Sequence, residues 1–207
     1  MVCTLAFAML ASQAAHHATW GIDGGVRELV HRHQHPTVAT GMSAVSVLGT
    51  PAGLVPLIAL VSGLAWRRKR AHALVVPGVM IGAGALQYGA KWAIDRPRPD
   101  STPWGFPSGH VLSLVVLLGL ACYFVAVSGA RHRWRHSGIA GSAAIVLTVA
   151  ASRLYLNVHW LSDVIGGGAV GLSYLLIVLA LLEALRSRAI AALDPVLALR
   201  DPTSGSA

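Results

Sequence analysis

The sequence predicts an all-α protein: a polytopic helical bundle in a membrane, with about six transmembrane helices and a reactive cluster at the extracytoplasmic face. Three observations carry this reading. The 207 residues are 55% hydrophobic and only 12% charged, about half the charge fraction of an ordinary soluble domain. The apolar residues fall in runs near twenty long, the length that crosses a bilayer as helix. The basic residues that give the formal net charge of +8 sit in short clusters between those runs, where they set topology. Such clusters are too short, and too close to the membrane, for a nucleic-acid surface.

In chain order, residues 3–18 form a short, moderately apolar first segment with no Lys or Arg ahead of it, unlike the charged start of a signal peptide. From Gly21 to His35 the chain turns polar. Ile22, Val26, Leu29 and Val30 recur at helical spacing, which predicts an amphipathic helix at the membrane surface. His31, His33 and His35 alternate and so do not share a helical face, which favours a solvated tract over a metal site. A span over 37–65 follows, with Pro51 and Pro56 as expected kinks, then the cluster Arg67, Arg68, Lys69, Arg70. The span over 72–93 is rich in small residues that permit close helix approach. Residues 94–107 carry four prolines and read as loop. Spans over 108–128, 138–156 and 162–185 follow, the first two separated by Arg131, Arg133 and Arg135. A polar tail over 186–207 is expected in the cytoplasm. Cys3 and Cys122 fall in apolar runs and read as packing residues. The whole chain is one membrane-embedded domain.

If the basic clusters lie inside, the proline-rich loop and the connection around His159 both lie outside. Lys91, His110, Arg153, His159 and Asp163 then gather at one face from separate segments. Ionisable residues at the rim of spans are costly and mark function. In Ser152–Asp163, His159 and Asp163 are four apart, so a helix beginning there places them on one face. A carboxylate on one imidazole nitrogen fixes the tautomer and frees the other to attack. Lys91, Arg98 and Arg153, with Arg96 a possible fourth, suit a multiply charged oxyanion such as phosphate. Ser108 and Gly109 open a span, where a helix N-terminus favours an anion. His110 has no carboxylate near it in sequence and suits the general acid. No acidic cluster is left for Mg²⁺, since Asp95 and Asp100 lie among arginines and prolines. Metal-independent chemistry without a cofactor is therefore expected.

Lys91 with Arg98-Pro99 seven and eight residues later, Pro107-Ser108-Gly109-His110, and Ser152-Arg153 with His159 and Asp163 resemble the three signature motifs of the type 2 phosphatidic acid phosphatase family. The signatures span residues 91–163. The resemblance implies that His159 forms a phosphohistidine, Asp163 orients it and His110 protonates the leaving group. It further implies that Lys91, Arg98, Ser108, Gly109 and Arg153 bind phosphate. Val111 after the histidine and the uncharged N-terminus depart from the pattern without removing a catalytic group.

The expected function is hydrolysis of a lipid phosphate or diphosphate in a bacterial plasma membrane, with a polyprenyl diphosphate ahead of phosphatidylglycerol phosphate and phosphatidic acid. Membrane lipids and the lipid phosphate are the expected partners. Two other readings share some of these residues. A lipid phosphotransferase passes the phosphate to an acceptor other than water, and a non-catalytic binder or transporter uses only the cations. The binder does not need two histidines and a spaced aspartate.

Overall fold

Helix propensity and apolar run length give the computed structural model its architecture over the described residues, 2–16, 19, 21–66 and 70–198. Among them, eight α-helices run in order: α1 (Val2–Ala15), α2 (Gly21–Arg32), α3 (Pro36–Ser46), α4 (Pro51–Trp66), α5 (Arg70–Ile94), α6 (Gly109–Val127), α7 (His132–Tyr155) and α8 (Leu161–Ala198). There is no strand among the described residues. Arg67, Arg68 and Lys69 of the first basic cluster lie outside them. By internal packing the chain divides into Met1–Leu175, which contains every site residue discussed below, and Leu176–Ala207. In the second unit Arg186 pairs with Glu183 at 3.5 Å.

Four segments are long and apolar enough to cross a membrane: Ala73–Ile94, Gly109–Val127, His132–Tyr155 and Leu161–Arg188. The expected span over 37–65 is instead a pair of helices, α3 and α4, bent by 50°. The break falls at a 3-10 turn, Val47–Gly49. Thr50 is extended there, as a residue before proline prefers, and Pro51 opens α4, where its missing N–H leaves no bond unmade. Pro56, expected as a kink, lies inside α4. Helix α1 is 14 residues long, roughly 21 Å at the α-helical rise, short of a hydrocarbon core of about 30 Å. The count of six is thus reached only if both the bent pair and α1 are included. Two other bounds move. Helix α7 begins at His132, so the second basic cluster is mostly helical, and α8 continues to Ala198 through most of the expected tail.

Helix α6 is apolar on all sides, and Leu112, Leu114, Val116, Leu117 and Leu120 are fully buried. A helix of that kind belongs at the centre of a bundle. The small residues of α5 do less than expected: Gly82 meets the Tyr174 hydroxyl, but nothing lies within 4 Å of a side chain placed at Gly78, Gly84 or Gly89. Close approach occurs instead at the start of α8. A Cβ on Gly167 would stand 2.5 Å from the Ser108 carbonyl oxygen, whereas one on Gly168 would meet only Val111 at 3.9 Å. Helix α1 packs through Leu10 and Ala14 against Phe106, and Phe7 stacks on the same ring with centroids 5.8 Å apart. It therefore braces the loop between α5 and α6.

These adjacent glycines give opposite expectations. Gly167→Ala should destabilise by about 1–3 kcal/mol through overpacking against backbone, read as a lowered Tm in detergent. Gly168→Ala should leave Tm within experimental error, and equal shifts in the two variants would contradict this packing.

Candidate active site

Three chain reversals bring the polar residues of Met1–Leu175 together. The first is the loop from Asp95 to Ser108. Helix α5 stops at Ile94 as Asp95 takes φ +41°, a left-handed conformation that Asp tolerates better than most residues. Hydrogen bonds from Arg98 N to Thr102 O (2.8 Å) and from Gly105 N to Arg96 O (2.7 Å) fold the loop back. Lys91 reaches in from the last turn of α5, and its Nζ donates to the carbonyl of Trp104 at 2.5 Å.

The second reversal ends α7. Asn157 has φ +56°, its N–H donates to Leu154 O (3.0 Å), and Val158 N–H donates to Arg153 O (3.2 Å). This paired 6→1 and 5→2 bonding is a Schellman motif with asparagine at the left-handed position. It turns the chain within five residues, so that Arg153 and His159 line one cavity. The guanidinium of Arg153 also bonds the Ser46 hydroxyl at the end of α3.

The third is the entry to α8. The Trp160 N–H donates to Asp163 Oδ2 at 2.9 Å, a side-chain cap of the helix start. The same oxygen lies 3.4 Å from His159 Nδ1, long for a hydrogen bond but correctly placed. The pair meets, but not through the shared helical face that the spacing predicted: His159 precedes α8, and Asp163 reaches back to it from the first helical turn. Asp163 Oδ1 accepts from Arg96 Nη1 at 2.7 Å. With Asp163 on Nδ1, the Nε2 of His159 is left for the cavity.

That cavity is about 560 Å³. Lys91, Arg98, Gly109, His110, Arg153 and His159 line its polar end, so six of the eight expected site residues share one space. Asp163 stands behind His159. Ser108 is fully buried at the N-terminal boundary of α6 and makes no side-chain cap bond. Among the described residues, five buried side-chain nitrogen or oxygen atoms have no hydrogen-bond partner. Four of them are Arg98 Nε, Ser108 Oγ, His110 Nε2 and Arg153 Nε. Buried polar atoms are almost always paired in folded proteins, so their concentration here marks a place for an acceptor-rich ligand. The donors suit an oxyanion.

Sequence reasoning left Arg96 as a possible fourth cation of this set, and the structure gives it another place. Arg96 is 2% exposed, does not line the cavity and is held between Asp163 and Asp23. Asp23, on α2, was missed. Its helix turns Asp23, Val26 and Val30 inward and leaves Ile22 and Leu29 exposed, so the inner face carries a carboxylate that an apolar periodicity does not register. Gln87 and Trp104 also line the cavity. Gly49 faces it so closely that a Cβ would stand 2.5 Å from the His110 ring. Two of the alternate histidines bond the backbone: His33 Nδ1 bonds Leu29 O at 2.9 Å, and His35 accepts from Thr37 N at 3.3 Å. Among the described residues no three His, Cys, Asp or Glu side chains converge.

The sequence model of the PAP2 superfamily matches residues 72–187, which brackets all eight expected site residues and Arg96, but neither Asp23 nor Gly49. The chain belongs to the PAP2 superfamily. It is 29% identical over 178 residues to phosphatidylglycerophosphatase B of Bacillus subtilis, covering 81% of this chain and 87% of that one. It is 31% identical over 168 residues to lipid A 1-phosphatase of Porphyromonas gingivalis, covering 77% of this chain but only 34% of that longer protein. The solved PAP2-type phosphatidylglycerolphosphate phosphatase from Bacillus subtilis superposes with a TM-score of 0.78 at 25% identity, over 88% of this chain and 95% of that one. LpxE of Aquifex aeolicus shares the fold, with a TM-score of 0.62 at 17% identity, over 78% of this chain and 96% of that one. With its apolar helices, the PAP2 protein is integral to a membrane.

The electrostatics of His159, in the connection between two spans, follow from its surroundings. Burial disfavours the imidazolium; the hydrogen bond and charge of Asp163 oppose that, and the charges of Lys91 and Arg153 add to it. The net effect holds its pKa below the ordinary histidine value. A neutral ring is therefore present to lower pH than in a free histidine, whose pKa is about 6.5. In ¹⁵N-histidine spectra of the protein in nanodiscs, assigned with His159→Gln, the His159 ring should titrate below that value. Titration at or above it would contradict the burial argument.

Proposed function

We propose that this membrane lipid phosphatase of the PAP2 type works through a phosphohistidine on His159, without a metal, at the outer face of a bacterial plasma membrane. The supporting observation is that Arg98, His110 and Arg153, whose Nε, Nε2 and Nε atoms are unpartnered among the described residues, line a cavity whose other wall is apolar, with the unpartnered Ser108 Oγ beside Gly109 in sequence. Pro51, Leu54 and Ile58 of α4 and Pro77, Met80 and Ile81 of α5 form that wall. From Lys91 back to Pro77 it follows roughly 21 Å of helix. A phosphate head at the cationic end and a hydrocarbon tail along α4 and α5 match the two halves.

In the proposed reaction, Lys91, Arg98 and Arg153 hold the equatorial oxygens and stabilise the charge that develops on them. The Nε2 of His159 attacks phosphorus. The N–P bond forms as the P–O bond to the lipid breaks, its electron pair goes to the leaving oxygen, and His110 supplies the proton there. Asp163 keeps the Nδ1 proton on the far nitrogen and stabilises the positive ring. Water then attacks phosphorus and His110 takes its proton; the N–P bond breaks, its electron pair returns to Nε2 of His159, and inorganic phosphate leaves. The three cations supply the charge that a metal would otherwise provide. The likeness to phosphatidylglycerophosphatase B supports phosphatidylglycerol phosphate as the first substrate to test, ahead of a polyprenyl diphosphate.

Purified protein with EDTA should release phosphate from phosphatidylglycerol phosphate or a polyprenyl diphosphate faster than from a soluble ester. His159→Ala should lose at least about 10³-fold in kcat. The kcat/KM profile, corrected for substrate ionisation, should be bell-shaped as His159 loses its proton and His110 keeps its own. Loss of activity on chelation would contradict the metal-free mechanism, and turnover surviving in His159→Ala would contradict the nucleophile. Tight lipid phosphate binding without release in the wild type would favour a binder.

A further inference from the structure

The carboxylate behind His159 is itself held by groups that phosphate binding does not use. Arg96 follows α5 and donates through Nη1 to Asp163 Oδ1 and to Ser162 Oγ, each at 2.7 Å. Its Nη2 donates to Asp23 Oδ2 at 3.2 Å. Asp23 in turn accepts from the Ser162 N–H at 2.9 Å and from the Ser162 hydroxyl at 2.7 Å. All four residues are at most 4% exposed. The guanidinium of Arg96 lies 5.9 Å from the centre of the Trp160 ring, and that of Arg27 lies 5.5 Å from it. Arg27 also ties α2 to the two loops of the site, donating to Asn157 Oδ1 at 2.9 Å and to Pro99 O at 3.3 Å. A cavity of about 10 Å³ separates Asp23 and Arg27 from the back of His159, close to the smallest space that holds one water.

We propose that Asp23 is a positioning residue for the phosphoryl transfer, acting through Arg96 and Ser162 to fix the orientation and charge of Asp163 and so the tautomer of His159. The inference rests on His159 being the nucleophile. Its physical basis is the charge count of a buried trio. Two carboxylates share one guanidinium, so Asp23, Arg96 and Asp163 together carry one net negative charge. Among the described residues lining the two cavities beside His159, the other titratable or charged groups are cationic or neutral: Lys91 on α5, His110 on α6, Arg153 on α7, Arg98 in the loop and Arg27 on α2. A ring that becomes positive on attack, among those cations, depends on the net charge of the trio. A trio without Asp23 is neutral. Arg96 then bears more fully on Asp163, and its field offsets that of the carboxylate at Nδ1.

Asp23→Asn keeps the size and one acceptor oxygen while removing the charge. It should lower kcat about tenfold or more, as loss of the carboxylate behind a metal-bound histidine does. It should leave KM and competitive inhibition by inorganic phosphate within about twofold, because Lys91, Arg98 and Arg153 are untouched. The acid limb of kcat/KM should move further down in pH, the direction that loss of a nearby negative charge gives. A purely structural defect would not produce that shift at constant phosphate inhibition. Glu28→Gln, on the exposed face of the same helix where Glu28 pairs with Arg32 at 2.9 Å, should match wild type.

If Asp23→Asn does not fold, Ser162→Ala, which removes only the bridging hydroxyl, should show a smaller fall in kcat and an acid-limb shift of the same sign. Wild-type kcat and acid limb in whichever variant folds would overturn the proposal. So would a rise in KM and in the phosphate inhibition constant with kcat unchanged. A wild-type protein inert on every lipid phosphate would instead count against the proposed function.

Discussion

Four cations stand near one end of an apolar bundle, and the electrostatic constraint this sets governs the site. In a low-dielectric interior, like charges a few ångströms apart repel strongly, and each loses hydration that burial does not return. The chain meets this in two ways. Arg96 is matched by two buried carboxylates, Asp23 and Asp163. Among the described residues, Lys91 and Arg153 bond a carbonyl and a hydroxyl, those of Trp104 and Ser46, and the Nε atoms of Arg98 and Arg153 have no hydrogen-bond partner. One set of charges is neutralised to fix the architecture, while the other is left under-satisfied, ready for an oxyanion.

This division explains which parts of the site were legible in the sequence. Residues proposed to act on a ligand carry their chemistry openly: two histidines, an aspartate four residues after one of them, and cations near span ends. The motif spacing places these with little help from tertiary structure. The His159–Asp163 pair needs only that a helix begin near Trp160, and the arrival of Lys91 and Arg153 at the same end follows from alternating spans. Arg96 looked like the other cations because sequence does not show what a guanidinium faces. Asp23 was invisible for the same reason. It lies on an amphipathic helix whose apolar positions were assumed to define the buried face, whereas a salt bridge to a residue 73 positions away defines it.

The spans show the same limit of local reading. Long apolar runs fixed α5, α6 and α7 to within a few residues, apart from the helical basic run at the start of α7. The bend between α3 and α4 was placed near the right proline but given the wrong form. Pro51 does not kink a continuous helix; it starts a new one after a turn at Val47–Gly49. That turn brings Gly49 against the His110 ring. A feature that hydropathy reads as one crossing is therefore part of the wall of the site, and its neighbours on α4 line the apolar half of the cavity.

The central claim is that His159 becomes covalently phosphorylated, and the most direct measurement is to trap that species. Active protein would be mixed with ³²P-labelled lipid phosphate and quenched on the millisecond scale in alkaline detergent. The expected result is protein-bound label that is stable to base, lost in mild acid, mapped to His159 and absent from His159→Ala. Active enzyme with no label at any quench time, or with label on another residue, would contradict it.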